Sequence, residues 1–153
     1  MQTIKNIALA GHAGSGKTTL FEALLYRSGA TDRVGKIAEG NTISDYTTEE
    51  IKRKSSVYTT VAAIQKDTLK VNMLDTPGMF DFAGEMTEGI YGSDCTLITV
   101  SGKSGVRVGT HKAFDCAVAL GKPRMFVVTK LDDENANFYN VLTNLKSEFG
   151  PTV

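Results

Sequence analysis

An α/β domain built on a mostly parallel sheet with one antiparallel edge strand is the fold this sequence predicts, and three observations predict it. Short apolar runs alternate with segments of helical period, the pattern of strands joined by crossover helices. A glycine-rich turn separates the first apolar run from the first helical segment. Two strand patterns in the first half follow one another with only Gln65-Lys66-Asp67 between them, which allows a hairpin and no crossover. At 153 residues the chain amounts to one domain, long enough to bury a core without cross-links.

Taken in order, the apolar run Ile4 to Ala10 predicts the first strand, and the pattern over 17–28 the first helix. Residues 28–56 are polar and broken by Gly29, Gly35 and Gly40, which predicts a long loop; loops of that length inside a compact domain are usually functional. Strands are predicted over 57–65 and 68–74, a helix over 84–91 and a strand over 95–101. A helix over 108–120 carries Phe114 and Val118 on one face, and a strand over 124–129 follows. The last helix, over 134–148, places Leu142 and Leu145 at helical spacing. The ending Phe149-Gly150-Pro151-Thr152-Val153 reads as a helix stop and the start of another strand, so the domain is expected to be truncated.

Charged residues make up 22 % of the chain, the formal net charge is zero and the pI is about 6.7. Nothing there advertises a nucleic-acid or membrane surface. Cys95 and Cys116 fall in a predicted strand and a predicted helix without metal-like spacing, and are expected to be buried free thiols. The N-terminus runs straight into the first strand, leaving no room for a cleavable signal, and no apolar stretch approaches membrane-spanning length. A soluble, cytoplasmic and monomeric piece is expected.

The run Gly11-His12-Ala13-Gly14-Ser15-Gly16-Lys17-Thr18 fits the phosphate-loop pattern G-x-x-x-x-G-K-[ST] between a strand and a helix. Such a loop turns its N–H groups inward around phosphates, and the helix behind it adds the positive end of its dipole. His12, Ala13, Gly14, Ser15, Gly16, Lys17, Thr18 and Thr19 are therefore the expected phosphate contacts, with Lys17 reaching the β- and γ-phosphates and the Thr18 hydroxyl holding Mg²⁺. Residues 28–56 would lie as a mobile lid over that nucleotide.

Further along, Leu69-Lys70-Val71-Asn72-Met73-Leu74 ends on Asp75-Thr76-Pro77-Gly78. A Pro-Gly pair alone marks a turn. Behind a phosphate loop, a strand-end carboxylate such as Asp75 is placed to hold Mg²⁺ through a water, and the Gly78 N–H to sense the γ-phosphate. The strand Phe126-Val127-Val128-Thr129 leads to Lys130-Leu131-Asp132. A carboxylate there accepts two hydrogen bonds from guanine that adenine does not offer, while the Lys130 stem packs on the base. The plain alternative is a strand-to-helix turn with Asp132 or Asp133 as a helix cap.

Phosphate loop, Asp-Thr-Pro-Gly and Lys-x-Asp in this order resemble a translational GTPase, above all the G domain of elongation factor G. Asp45-Tyr46, the stretch from Glu49 to Ser56, Asp81-Phe82 and the stretch from Asp132 to Phe138 resemble the elongation-factor-G-like paralogues more narrowly. The resemblance covers nearly the whole chain. It implies a three-layer P-loop NTPase (G-domain) fold, GTP or GDP with Mg²⁺ as the bound species, and the ribosome as partner of the full-length protein. It further implies that residues 1–153 are the N-terminal part of that domain, with the final strand, the final guanine-supporting loop and all later domains absent. On this resemblance Ser56 stands where the first switch offers a hydroxyl to Mg²⁺, and Lys17 and Gly78 are the catalytic residues. His12 matches a family histidine and is expected to pack and hydrogen-bond rather than catalyse; His111 is expected on the surface.

Three positions depart from the family pattern. Met79 stands where a histidine usually orients the attacking water, a task beyond a thioether, and is expected to pack with Phe80 and Phe82. Gly14 replaces a phosphate-loop Asp, and Thr129 replaces the Asn that opens the guanine loop. Two other functions stay open beside a stimulated GTPase: a nucleotide-gated binding module with little hydrolysis, and an ATP-using phosphoryl-transfer enzyme sharing the loop.

Overall fold

In the computed structural model, which describes residues 2–153, five strands form one sheet in the order β2-β3-β1-β4-β5. These are β1 (Thr3–Gly11), β2 (Thr60–Lys66), β3 (Leu69–Asp75), β4 (Cys95–Ser101) and β5 (Arg124–Thr129). Every pairing is parallel except the hairpin of β2 with β3, so the antiparallel edge strand is where the sequence puts it. Helices α1 (Lys17–Arg27), α3 (Ala83–Tyr91) and α4 (Val108–Ala119) connect the strands, α5 (Phe138–Phe149) follows β5, and a short helix α2 (Thr48–Arg53) lies between α1 and β2.

The pleat of β1 assigns the two helical layers. Ala8 and Ala10 pack with Met86, Ile90, Ile98, Ala113 and Ala117 under α3 and α4, whereas Leu9 points the other way onto Phe21, Leu25 and Met73 under α1. Farther along the first face, Val100 packs with Val141 and Leu145 of α5. Because β1 has β3 on one side and β4 on the other, the chain reverses its direction of travel across the sheet there. Ligands of such sheets sit outside the C-terminal strand ends at that reversal. Here those ends carry Gly11, Asp75, Ser101 and Thr129.

Residues 28–56 differ from the featureless loop expected. Thr47 and Glu50 form a reciprocal capping box that opens α2, a pattern legible in Thr47-Thr48-Glu49-Glu50 and overlooked in the polar composition. Glu50 is fully buried; besides Thr47 it accepts the N–H groups of Val57 (3.1 Å) and Tyr58 (3.2 Å). Burial alone would raise its pKa, but the Thr47 hydroxyl and these amides hold it below the ordinary value. The same bonds explain why β2 begins at Thr60 and not at 57: the amides of 57 and 58 belong to Glu50, and that of Thr59 to Glu85 (2.8 Å). Similarly α5 starts at Phe138 rather than 134, because Asn137 caps it and residues 133–136 form a turn closed by Ala136 N–H on the Asp133 carbonyl.

Both cysteines are free and half-buried rather than fully enclosed. No helix among the described residues is long and apolar enough to cross a membrane. Glu50→Ala strands two amides and dissolves the cap, and is expected to cost about 3 kcal/mol, read as a lower urea midpoint with faster exchange of the Val57 and Tyr58 amides.

Candidate functional site

The loop between β1 and α1 wraps over the C-terminal end of the sheet. Ser15 N–H closes its turn on the His12 carbonyl (3.1 Å), and the Ser15 hydroxyl meets that of Thr99 at 2.6 Å. The Thr129 hydroxyl donates to the Ser15 carbonyl (2.6 Å), tying the end of β5 to the loop. Gly16 sits at φ 90° against this contact, where a Cβ would lie 3.2 Å from the Thr129 hydroxyl. Ala13, Gly14 and Thr19 are exposed.

Lys17 is 6 % exposed and donates to the carbonyls of Gly11 and His12, both at 3.1 Å. Burial pushes its pKa down to about 8, against the pull of Asp75 and Asp45. Gly78 lies directly over it, since a Cβ there would fall 2.3 Å from the ammonium and 2.7 Å from the Ala13 nitrogen. The cavity left beside them measures about 90 Å³ and is lined by Gly14, Lys17, Thr18, Asp45, Lys54 and Ser56 among others.

Beneath it, one carboxylate collects the hydroxyls. Asp75 Oδ2 accepts from Thr18 Oγ1 and from Ser44 Oγ, both at 2.6 Å, while Oδ1 has no partner among the described residues. Burial pushes Asp75 up to about 6 although these hydroxyls and Lys17 oppose it. Ser56 Oγ stands 3.2 Å from Thr18 Oγ1. Ser44 is itself held by Glu22 of α1, a fully buried carboxylate that accepts the N–H groups of Ile43 (2.6 Å), Ser44 (3.2 Å) and Gly35 (3.2 Å).

The structure thus brings Ala13, Gly14, Gly16, Lys17, Thr18, Ser56, Asp75 and Gly78 together and links Thr129 to them. Lys130 and Asp132 are exposed and form no side-chain hydrogen bond or ion pair among the described residues; Lys130 holds a left-handed backbone, φ 54°. The neighbouring Asp133 pairs instead with Lys103 (3.0 Å). His12 stacks obliquely beside Phe80, but its buried Nδ1 has no hydrogen-bond partner among the described residues, so the expected bond is not formed there. Burial, Lys17 and Arg107 hold its ring below the ordinary pKa. Met79 is half-buried and lines a gap of about 10 Å³ with Phe80 and Met86; Phe82 meets it through a backbone bond to its carbonyl (3.2 Å). His111 is tied to Glu148 of α5 at 2.6 Å.

Three site residues escaped the sequence reading. Asp45 is 3 % exposed, lines the cavity and has no partner on either carboxylate oxygen among the described residues; burial pushes its pKa up. It belongs to no phosphate-loop pattern; Asp45-Tyr46 contributes to the family resemblance, which gave it no role at the site. Ser44 and Glu22 gave no signal, because their roles arise from long-range contact.

In an unfolded chain Asp75 titrates near 3.9, so the metal- and nucleotide-free fold holds the extra proton between that value and about 6. Stability is therefore expected to fall, by on the order of 2 kcal/mol, as pH rises from about 4 to about 6.5. Lys17 acts in the opposite direction only above about pH 8. Urea midpoints across this range test it, and Asp75→Asn should flatten the slope.

A family model described as "Elongation factor Tu GTP binding domain" matches residues 2–151. The "Elongation factor G-like protein" of Mycobacterium tuberculosis (strain H37Rv) is 39 % identical over 150 residues, which are 98 % of this chain and 21 % of that protein. The mitochondrial "Ribosome-releasing factor 2" of Drosophila melanogaster is 32 % identical over 145 residues, 95 % of this chain and 20 % of its own. A crystal structure of a Thermus thermophilus protein superposes with a TM-score of 0.93 at 47 % identity, covering 97 % of this chain and 22 % of that one. The chain spans about a fifth of the length of these relatives. With its five-stranded sheet, its loop over the strand ends and a match along almost its entire length, the chain belongs to the elongation factor Tu GTP-binding-domain family.

Proposed function

We propose that this chain is the guanine-nucleotide switch of an elongation-factor-G-like translational GTPase, binding GTP or GDP with Mg²⁺ and acting, within the full-length protein, on the ribosome. The observation that carries the reading is Asp75, whose one carboxylate oxygen accepts from Thr18 of the phosphate loop and from Ser44 of the segment over the site. A nucleotide that engages Thr18 thereby acts on residues 35–58, and the ribosome-releasing factor of Drosophila melanogaster supplies the ribosomal context.

The residues fit the metal. Two hydroxyls, on Thr18 and Ser56, converge with three buried carboxylate oxygens, on Asp75 and Asp45, that lack partners among the described residues. That is a hard-oxygen donor set. Among the described residues no group of three His, Cys, Asp or Glu gathers, as suits an ion held largely by water and phosphates. When bound, Mg²⁺ neutralises charge on the β- and γ-phosphates. Thr18 and Ser56 would hold it through their hydroxyls, with Asp75 and Asp45 accepting from its waters.

Lys17, already stripped of solvent, would exchange its two carbonyl partners for phosphate oxygens, and the Gly78 N–H would mark the γ-phosphate. Because Gly78 rests on Lys17 and the cavity measures only about 90 Å³, the turn at Gly78 must lift to admit a triphosphate. Asp132 would select guanine, with Lys130 along the base.

Met79 favours a second reading of the same site, a nucleotide-gated binding module that scarcely hydrolyses, because its half-buried thioether offers water no base. Single-turnover GTP hydrolysis with and without ribosomes separates the two: stimulated cleavage supports the GTPase, and its absence leaves the module. For the binding itself, calorimetric titration is expected to show GDP bound and ADP not, with Asp132→Asn eroding that preference by about a hundredfold. ADP binding as tight as GDP binding would instead support an ATP-using enzyme.

A further inference from the structure

We infer that Lys54 is a second cationic contact for the terminal phosphate, an inference that rests on the nucleotide reading above. Lys54 closes α2 in the left-handed region, φ 53° and ψ 41°, held there by its N–H on Glu50 and Ile51 carbonyls. Glycine takes that conformation freely, whereas a residue with a Cβ is strained in it. Asp67, also left-handed, sits at the β2–β3 turn where such a backbone is ordinary. At the end of α2 the same backbone closes the helix, with the Ser55 N–H on the Glu50 carbonyl at 3.2 Å; glycine is the usual residue at such a position, so the backbone by itself does not call for a lysine.

Its position gives the side chain a use. Of the three successive basic residues Lys52, Arg53 and Lys54, only Lys54 lines the cavity shared by Gly14, Lys17, Ser56 and Gly78. Arg53 is paired with Glu49, while Lys54 has no ion pair or side-chain hydrogen bond among the described residues. The cavity wall already contains the carboxylate of Asp45, and Lys17 is its one buried cation. Even with Mg²⁺ bound, a triphosphate would carry more negative charge than that lysine offsets, the largest single share of it on the terminal phosphate that GDP lacks. An ammonium on a flexible stem two residues before Ser56 reaches that end of the phosphate chain and not the base end, so it distinguishes GTP from GDP.

A basic residue at a helix C-terminus also favours the helix dipole. That role acts on stability and leaves the choice between nucleotides unchanged, which makes the two separable. Dissociation constants for GDP and for a non-hydrolysable GTP analogue, both with Mg²⁺, are to be measured for the unaltered chain and for Lys54→Gly, Lys54→Gln and Lys54→Arg. Lys54→Gly relieves the backbone, so its melting midpoint should equal or exceed that of the unaltered chain. The glycine and glutamine variants should bind the GTP analogue roughly tenfold more weakly while GDP affinity changes by less than about twofold, and arginine should preserve both. Equal losses for the two nucleotides, or no loss for either, overturn the role of Lys54 and leave the functional reading standing. If the unaltered chain binds neither guanine nucleotide, the functional reading falls and this inference with it.

Discussion

Everything near the phosphate loop hangs on the buried carboxylate of Asp75. It ends β3, beside the central strand, and its Oδ2 accepts two hydroxyls that come from opposite directions, Thr18 from the loop and Ser44 from the segment above. A fully buried carboxylate without a permanent cation beside it is costly, and the rise of its pKa to about 6 records that cost. The fold tolerates it because two hydroxyls and the nearby ammonium of Lys17 offset part of the penalty. A divalent cation would offset the rest, so the same feature that burdens the empty site favours the filled one.

Glu22 and Glu50 extend the arrangement outward. Each is buried and each is satisfied by backbone amides of the segment between α1 and β2, Glu22 at residues 35, 43 and 44 and Glu50 at 57 and 58. Few apolar contacts hold that stretch; three carboxylates do, and one of them is the strand-end Asp75. Such a segment is ordered by polar bonds that a nucleotide can strengthen or compete with, which is what a switch requires and what a packed core would forbid.

How much of this was legible depends on whether a residue's role is local. The sheet, its antiparallel edge and the helices followed from periodicity in β1, β4 and α4, and the phosphate loop from its spacing. Lys17 and Thr18 come next to Asp75 because G-x-x-x-x-G-K-T dictates their geometry. Helix α2 was equally local, since Thr47 and Glu50 form a capping box, yet the polar surroundings hid it. Glu22 and Ser44 were invisible for a different reason: partners up to 31 residues apart, such as Ser44 and Asp75, meet only through the fold. Boundaries at 60 and 138 moved because amides that periodicity assigns to a strand or helix belong to Glu50, Glu85 and the Asn137 cap.

On this arrangement the terminal phosphate is felt, through Thr18 and Asp75, by the segment that Glu22 and Glu50 anchor. Amide hydrogen exchange across residues 35–58, compared between the GDP-bound chain and the chain bound to a non-hydrolysable GTP analogue with Mg²⁺, tests it most directly. Exchange at Ile43, Ser44, Val57 and Tyr58 is expected to be slower with the GTP analogue. Identical protection in the two states, with both nucleotides demonstrably bound, would contradict it.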